Sequence, residues 1–143
     1  MMKILIIDDE PITCETLARV LRSEFDSEVF LLSNYRRLDL HLSNDFDGIV
    51  LDLMMPYDDS FFESQRLSQT NEFYVGLDLF DWIRKKHPQI PVVFYTSSSR
   101  RIACDEYSMI LNKPILAKSA AKSIVDHIKK CKSLNVLKEK CQR

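Results

Sequence analysis

The chain has 143 residues, 45% of them hydrophobic, with only two glycines and a formal net charge of −1. That length fits one domain able to bury about two-thirds of its unfolded surface, and the composition excludes a disordered or fibrous chain. Near-neutral charge excludes a general attraction to nucleic acid or anionic membrane, although nine Lys/Arg against two acids from Lys113 onward put +7 there and leave −8 on the remainder.

In chain order, Ile4–Ile7 is an apolar run of strand length that stops at Asp8, Asp9 and Glu10. Ile12–Phe25 follows as a helix, with Leu17, Val20 and Leu21 at helical spacing. Val29–Leu32 reads as a second strand and Tyr35–Leu42 as a short helix. Ile49–Leu53 is a third strand, ended by Pro56. A helix over Gly76–Lys86 carries Leu77, Leu79, Phe80 and Ile83. The β-branched and aromatic Pro91–Tyr95 is a fourth strand and Tyr107–Leu111 a fifth. From Ile115 to about Cys131 runs a final helix, with Ile124, Ile128 and Cys131 on one face. Strands alternating with helices predict an α/β fold, a five-stranded parallel sheet covered by helices on both faces. The expected domain is 1–131. Residues 132–143 read as a short basic tail or helix extension, too short for a DNA-binding or enzymatic output domain, so output is expected to pass through another protein.

Cys14, Cys104, Cys131 and Cys141 show no CxxC spacing and no paired histidines, which argues against zinc. With no signal peptide and no apolar run near twenty residues, a reduced cytoplasmic protein is expected, with no membrane partner. Cys14 is expected in the core. His41, His87 and His127 fall on predicted helices without partners and are expected on solvated faces. The lysines of the last helix spread around its apolar face, so a solvated surface is expected there rather than a nucleic-acid interface.

Ligands of parallel sheets gather beyond the carboxyl ends of the strands. Asp8 and Asp9 stand at that end of the first strand, Asp52 of the third, Thr96 of the fourth and Lys113 of the fifth. Three adjacent acids repel one another unless water, a cation or a partner relieves them. Oxygen ligands at this density suit a hard cation such as Mg²⁺. An aspartate oxygen can attack phosphorus to form an aspartyl-phosphate, and a lysine and a threonine can hold the phosphoryl oxygens. Glu10 reads as a solvated acid at a helix start rather than a ligand.

These residues resemble a known family. IIDDEP, VLDLMMP, GLDLFDWIRKKHP, VVFYTS and NKP, in that order from about Met2 to Cys131, are similar to the receiver domain of two-component response regulators. The resemblance implies a doubly wound, flavodoxin-like sheet and a switch protein rather than an enzyme. It implies that Asp52 is the phosphoacceptor, that Asp9 binds Mg²⁺ directly and Asp8 mainly through water, and that Met54 lends its backbone carbonyl to the metal. Thr96 becomes the switch hydroxyl and Lys113 the phosphate-contacting lysine. Lys113-Pro114 stands where the family commonly has a cis bond. The implied partners are a histidine kinase or histidine phosphotransfer protein and a downstream protein; oligomeric state is left open.

Three features depart from that family. Nineteen residues, YDDSFFESQRLSQTNEFYV, lie between Pro56 and Gly76, where the family places only a few. Thr96 and Lys113 are seventeen positions apart, shorter than usual, and Ser97–Cys104 lacks the periodicity of the helix normally found there. The usual switch aromatic, three residues before the lysine, is Ile110. These departures motivate an alternative, a receiver-like adaptor that binds its partner independently of phosphate. A further alternative is a haloacid-dehalogenase-type phosphatase using Asp8, with Glu10 as its second acid. Pro11 and Ile12 occupy the places where that family has glycine and threonine, and Asp52 is unexplained by it.

Overall fold

The computed structural model describes residues 1–43, 45–71 and 73–141. In chain order the elements are β1 (Met2–Ile7), α1 (Pro11–Glu24), β2 (Ser27–Leu32), α2 (Leu38–His41), β3 (Gly48–Leu51), α3 (Asp59–Ser64), α4 (Val75–Lys86), β4 (Val92–Thr96), β5 (Ser108–Asn112) and α5 (Ala117–Cys141). All five strands pair in parallel, in the order β2-β1-β3-β4-β5.

Strand geometry sends successive side chains to opposite faces, and the apolar runs fill both. Leu5, Ile7, Ile49, Leu51, Val92 and Phe94 face one core with α2, α3 and α4. Ile4, Ile6, Val50, Val93 and Tyr95 face the other, against Cys14, Leu17 and Leu21 of α1 and Ile124, Val125 and Ile128 of α5. Because both faces are buried along the inner strands, Ile4–Ile7, Ile49–Leu51 and Val92–Tyr95 carry no polar alternation, whereas the edge strand β2 alternates between buried and exposed positions. α1 starts at Pro11, a first-turn position where the missing N–H breaks no helical bond.

The insertion is anchored in the core by Phe61, Phe62 and Val75. Asp58 caps α3, its carboxylate accepting from the backbone N–H groups of Ser60 (3.0 Å) and Phe61 (3.4 Å). Phe61 and Phe62 are fully buried, with edge-on contacts to Tyr35 and, for Phe61, to Trp82. The Tyr35 hydroxyl donates to the Pro56 carbonyl (2.7 Å) and accepts from Asp58 N–H (2.6 Å), fixing the start of the insertion. Its end is held by the buried Asp78, which accepts from the Thr70 hydroxyl at 2.6 Å and from Asn71 Nδ2 at 2.9 Å. Phe61→Leu is expected to cost about 1–2 kcal/mol through lost contact and imperfect refilling. Urea denaturation followed by the emission of Trp82, which touches the Phe61 ring, reads that loss directly.

The second helix covers only Leu38–His41 of the expected Tyr35–Leu42, and β3 ends at Leu51 rather than Leu53. As expected, no helix forms over 97–107 among the described residues; Ile102 from this stretch packs on the α4 side of the core. α5 continues unbroken past Cys131 to Cys141. No helix among the described residues is long and apolar enough to cross a membrane.

One expectation is overturned. His127 is buried, not solvated: it shares the inner face of α5 with Ile124, Ile128 and Cys131, and its Nε2 lies 3.0 Å from the Tyr107 carbonyl. Burial is the main cause that holds its pKa below the ordinary imidazole value, and nearby Lys130 and Arg84 push the same way; the Tyr107 carbonyl and Asp105 oppose them. A histidine with a depressed folded pKa contributes stability that is present above its unfolded pKa, about 6.5, and is lost as pH falls through the folded value. The His127 contribution is therefore expected to decline from pH 7 to pH 5 against the opposing gain from other groups, and His127→Leu should lose less stability than the parent over that interval in denaturation measured at several pH values.

Candidate functional site

The carboxyl end of the sheet brings together residues from four strands. Each strand stops one residue short of, or at, a polar side chain: Ile7 before Asp8, Leu51 before Asp52, Thr96 itself, and Asn112 before Lys113. Backbone bonds lock these exits side by side. Asp52 N–H donates to the Ile7 carbonyl (3.1 Å), and Lys113 N–H donates to the Thr96 carbonyl (2.8 Å).

Asp8, Asp9 and Asp52 each offer a carboxylate oxygen within 4.8 Å of the others. Asp8 (4% exposed) and Asp52 (7%) are buried, while Asp9 faces solvent. Lys113 Nζ donates to Asp8 Oδ2 at 2.7 Å, and Asp8 Oδ1 accepts from Glu10 N–H at 2.8 Å. Thr96 is fully buried, close enough to Asp52 to favour its ionised form, and its hydroxyl accepts from Ser98 N–H at 3.1 Å. Met54 follows Asp52 in the loop after β3; its backbone N–H faces Asp52 Oδ1 at 3.5 Å. The Lys113-Pro114 bond is cis. Glu10 is exposed and engages Asp8 only through its backbone.

Charge is unbalanced in this pocket, where three carboxylates meet one ammonium group. Burial first, and then the Asp8 charge, raise the Asp52 pKa from 3.8 to about 6, against the opposing pull of Lys113, Met54 N–H and Thr96. Burial alone would lower the Lys113 pKa, but Asp8 and then Asp52 carry it above its ordinary value. A second cation at the three carboxylates would relieve both the repulsion and the cost of burial. The donors are all hard oxygens, which fits Mg²⁺ better than a thiophilic metal.

Two neighbours of the site escaped the sequence argument. The Cys14 thiol lies beside Asp8, and burial together with the Asp8 charge pushes its pKa far up, so it is an inert neutral wall beneath the pocket. The Tyr95 ring sits 4.8 Å from Lys113 Nζ and steers the ammonium by a cation–π contact. Helical spacing from Leu17 and strand alternation from Phe94 place both residues on one core face, but neither pattern shows that this face reaches the acids.

Known proteins share this fold. The family model for the response regulator receiver domain matches residues 4–141. Among solved structures, a response regulator receiver domain protein from Clostridium thermocellum is 26% identical, with 94% of this chain and 99% of that one covered and a TM-score of 0.67. Response regulator TrrA from Thermotoga maritima, in complex with Mg²⁺–BeF, is 23% identical (89% and 99% covered, TM-score 0.66). The receiver domain of the Francisella response regulator 1452 is 20% identical (91% and 98% covered, TM-score 0.66). The latter two likenesses are of fold. None of the curated proteins matches the chain in sequence.

Proposed function

The chain belongs to the response regulator receiver domain family, and from that premise we propose that it is a phosphorylation switch whose acceptor is Asp52. The observation that carries this reading is the joint placement of Asp8, Asp9, Asp52, Thr96 and Lys113 at one sheet edge, with Asp52 as the buried acid next to both Thr96 and the acidic pair.

In this reading Asp8, Asp9, Asp52 and the Met54 carbonyl hold Mg²⁺. When bound, the ion neutralises the carboxylates and offsets charge on the incoming phosphoryl group. An Asp52 oxygen attacks phosphorus, the bond from phosphorus to the donor's imidazole nitrogen breaks, and the freed electron pair stays on the imidazole. Lys113, already confined by Asp8 and the Tyr95 ring, has its ammonium group placed to pair with a phosphoryl oxygen. The buried Thr96 hydroxyl supplies a neutral donor to another. The donor is a histidine kinase or histidine phosphotransfer protein, and the altered surface acts by binding a downstream protein.

Acetyl phosphate tests the reading without a kinase. Acid-labile label should appear only with Mg²⁺ and should map to Asp52. Label on another residue, or none at all, would remove Asp52 from the role. The phosphate-independent adaptor draws its support from Ile110 and the missing helix over 97–107. It would be favoured if a captured partner bound equally with and without beryllofluoride.

A further inference from the structure

Between Asp52 and the 57–75 insertion runs a continuous series of contacts that phosphoryl transfer does not require. Thr96 neighbours Asp52 at the sheet edge, and its hydroxyl accepts from Ser98 N–H at 3.1 Å. Ser98 Oγ accepts in turn from Arg100 N–H at 3.2 Å. The Arg100 guanidinium lies 4.4 Å from the centre of the Tyr74 ring. Tyr74, at the start of α4, donates its N–H to the Asn71 carbonyl at 2.9 Å, and Asn71 and Thr70 are bound by the buried Asp78.

Accepting Asp52 as the phosphoacceptor, we propose that this series is the readout of the switch: phosphorylation turns the Thr96 hydroxyl away from Ser98, draws Arg100 off Tyr74, and releases the arm of the insertion over residues 66–71.

The geometry leaves little other outlet. Thr96 is held at its carbonyl by Lys113 N–H, so its backbone is pinned and its hydroxyl responds by changing rotamer. Turning the hydroxyl away leaves the partly buried Ser98 N–H without this partner, and the turn rearranges to satisfy it. At its far end the segment is tethered, because Arg84 holds both carboxylate oxygens of Asp105 at 2.7 and 3.1 Å. Displacement therefore concentrates between Ser97 and Arg101, where Arg100 sits. A cation–π contact weakens beyond about 6 Å, so a shift of a couple of ångströms breaks this one. Ile110 has no polar atom with which to follow the Thr96 hydroxyl, and the moving loop meets the insertion through Arg100 and Tyr74.

Hydrogen exchange of the full chain with Mg²⁺ and beryllofluoride tests the proposal, with ¹⁹F resonances reporting the bound fluoride. In the parent protein, exchange over 66–71 should rise about two- to five-fold on binding, the range set by the loss of one exposed cation–π contact. Arg100→Leu should show the raised exchange without ligand and no further change with it, while acetyl phosphate labelling of Asp52 stays at the parent level. Tyr74→Phe, which keeps the ring, should behave like the parent. Bound beryllofluoride with unchanged exchange over 66–71 overturns the readout alone. Absence of both bound fluoride and Asp52 labelling overturns the phosphoacceptor reading, and the readout falls with it.

Discussion

Asp52→Asn is expected to abolish labelling by acetyl phosphate and, in the same protein, to raise the stability of the metal-free domain at pH 7. The amide keeps the shape of the carboxylate but has no oxygen able to form the acyl-phosphate. The stability gain follows from the sign of the pKa shift. Burial and the Asp8 charge raise the Asp52 pKa from 3.8 to about 6. A carboxyl shifted upward favours the fold while protonated, below the unfolded value of 3.8, and that contribution is lost as pH rises through about 6. At pH 7 the ionised group opposes folding by an amount whose upper bound is about 3 kcal/mol, from about 1.4 kcal/mol per pH unit. That bound is already net of the attraction to Lys113; because the amide does not fully reproduce the fit of the protonated acid, a gain of about 1–2 kcal/mol is expected. Urea denaturation in EDTA at pH 7 and pH 4 checks both halves: the variant should gain at pH 7 and show little difference at pH 4. Adding Mg²⁺ should then stabilise the parent more than the variant, because only the parent presents three carboxylates. A variant that is less stable than the parent at pH 7 would mean that attraction to Lys113 outweighs repulsion within the pocket.

The same physics explains what could be read before any coordinates. Parallel strands buried on both faces leave unbroken apolar runs, so Ile4–Ile7 and Ile49–Leu51 declare themselves. Each run ends at the carboxyl edge of the sheet, and a polar residue there falls on the ligand-binding edge by topology alone, which made Asp8, Asp52, Thr96 and Lys113 legible. α3 was not legible, because its buried residues are the adjacent pair Phe61 and Phe62, which has no helical period. Asp58 was the available signal, an acid two residues before a serine whose N–H it caps. His127 was misjudged although its spacing from Ile124 and Cys131 places it on the buried face; its polarity was weighed above its position. The partner that makes it acceptable there, the Tyr107 carbonyl, comes from a distant strand entry and leaves no local trace.

Gly76→Ala separates local propensity from long-range packing, because the two predict opposite signs. Gly76 lies in α4, where alanine is the better helix former by about 0.8–1 kcal/mol. On propensity alone the variant should be more stable. A Cβ built there, however, would lie 2.2 Å from the Asp52 carbonyl oxygen, 2.7 Å from Leu53 Cα and 3.0 Å from the Asp52 carbonyl carbon. All three are backbone atoms at the exit of β3, so no side-chain rotation clears the clash. The first turn of α4 must retreat, stretching the 2.9 Å bond from Gly76 N–H to the Leu53 carbonyl and pulling Val75 and Leu79 from the core that also holds Phe61. Overpacking of this kind costs about 1–3 kcal/mol and sometimes more, and here no flexible group is available to yield, so a net loss of about 3 kcal/mol is expected. The loop that must shift carries Asp52 and Met54, so Mg²⁺ affinity and the rate of acetyl phosphate labelling should fall in parallel with stability. Urea denaturation followed by Trp82 emission, alongside Mg²⁺ titration, checks the pair of effects. A variant as stable as the parent would mean that α4 does not press on the β3 exit and that the backbone around Asp52 is held by something other than this contact.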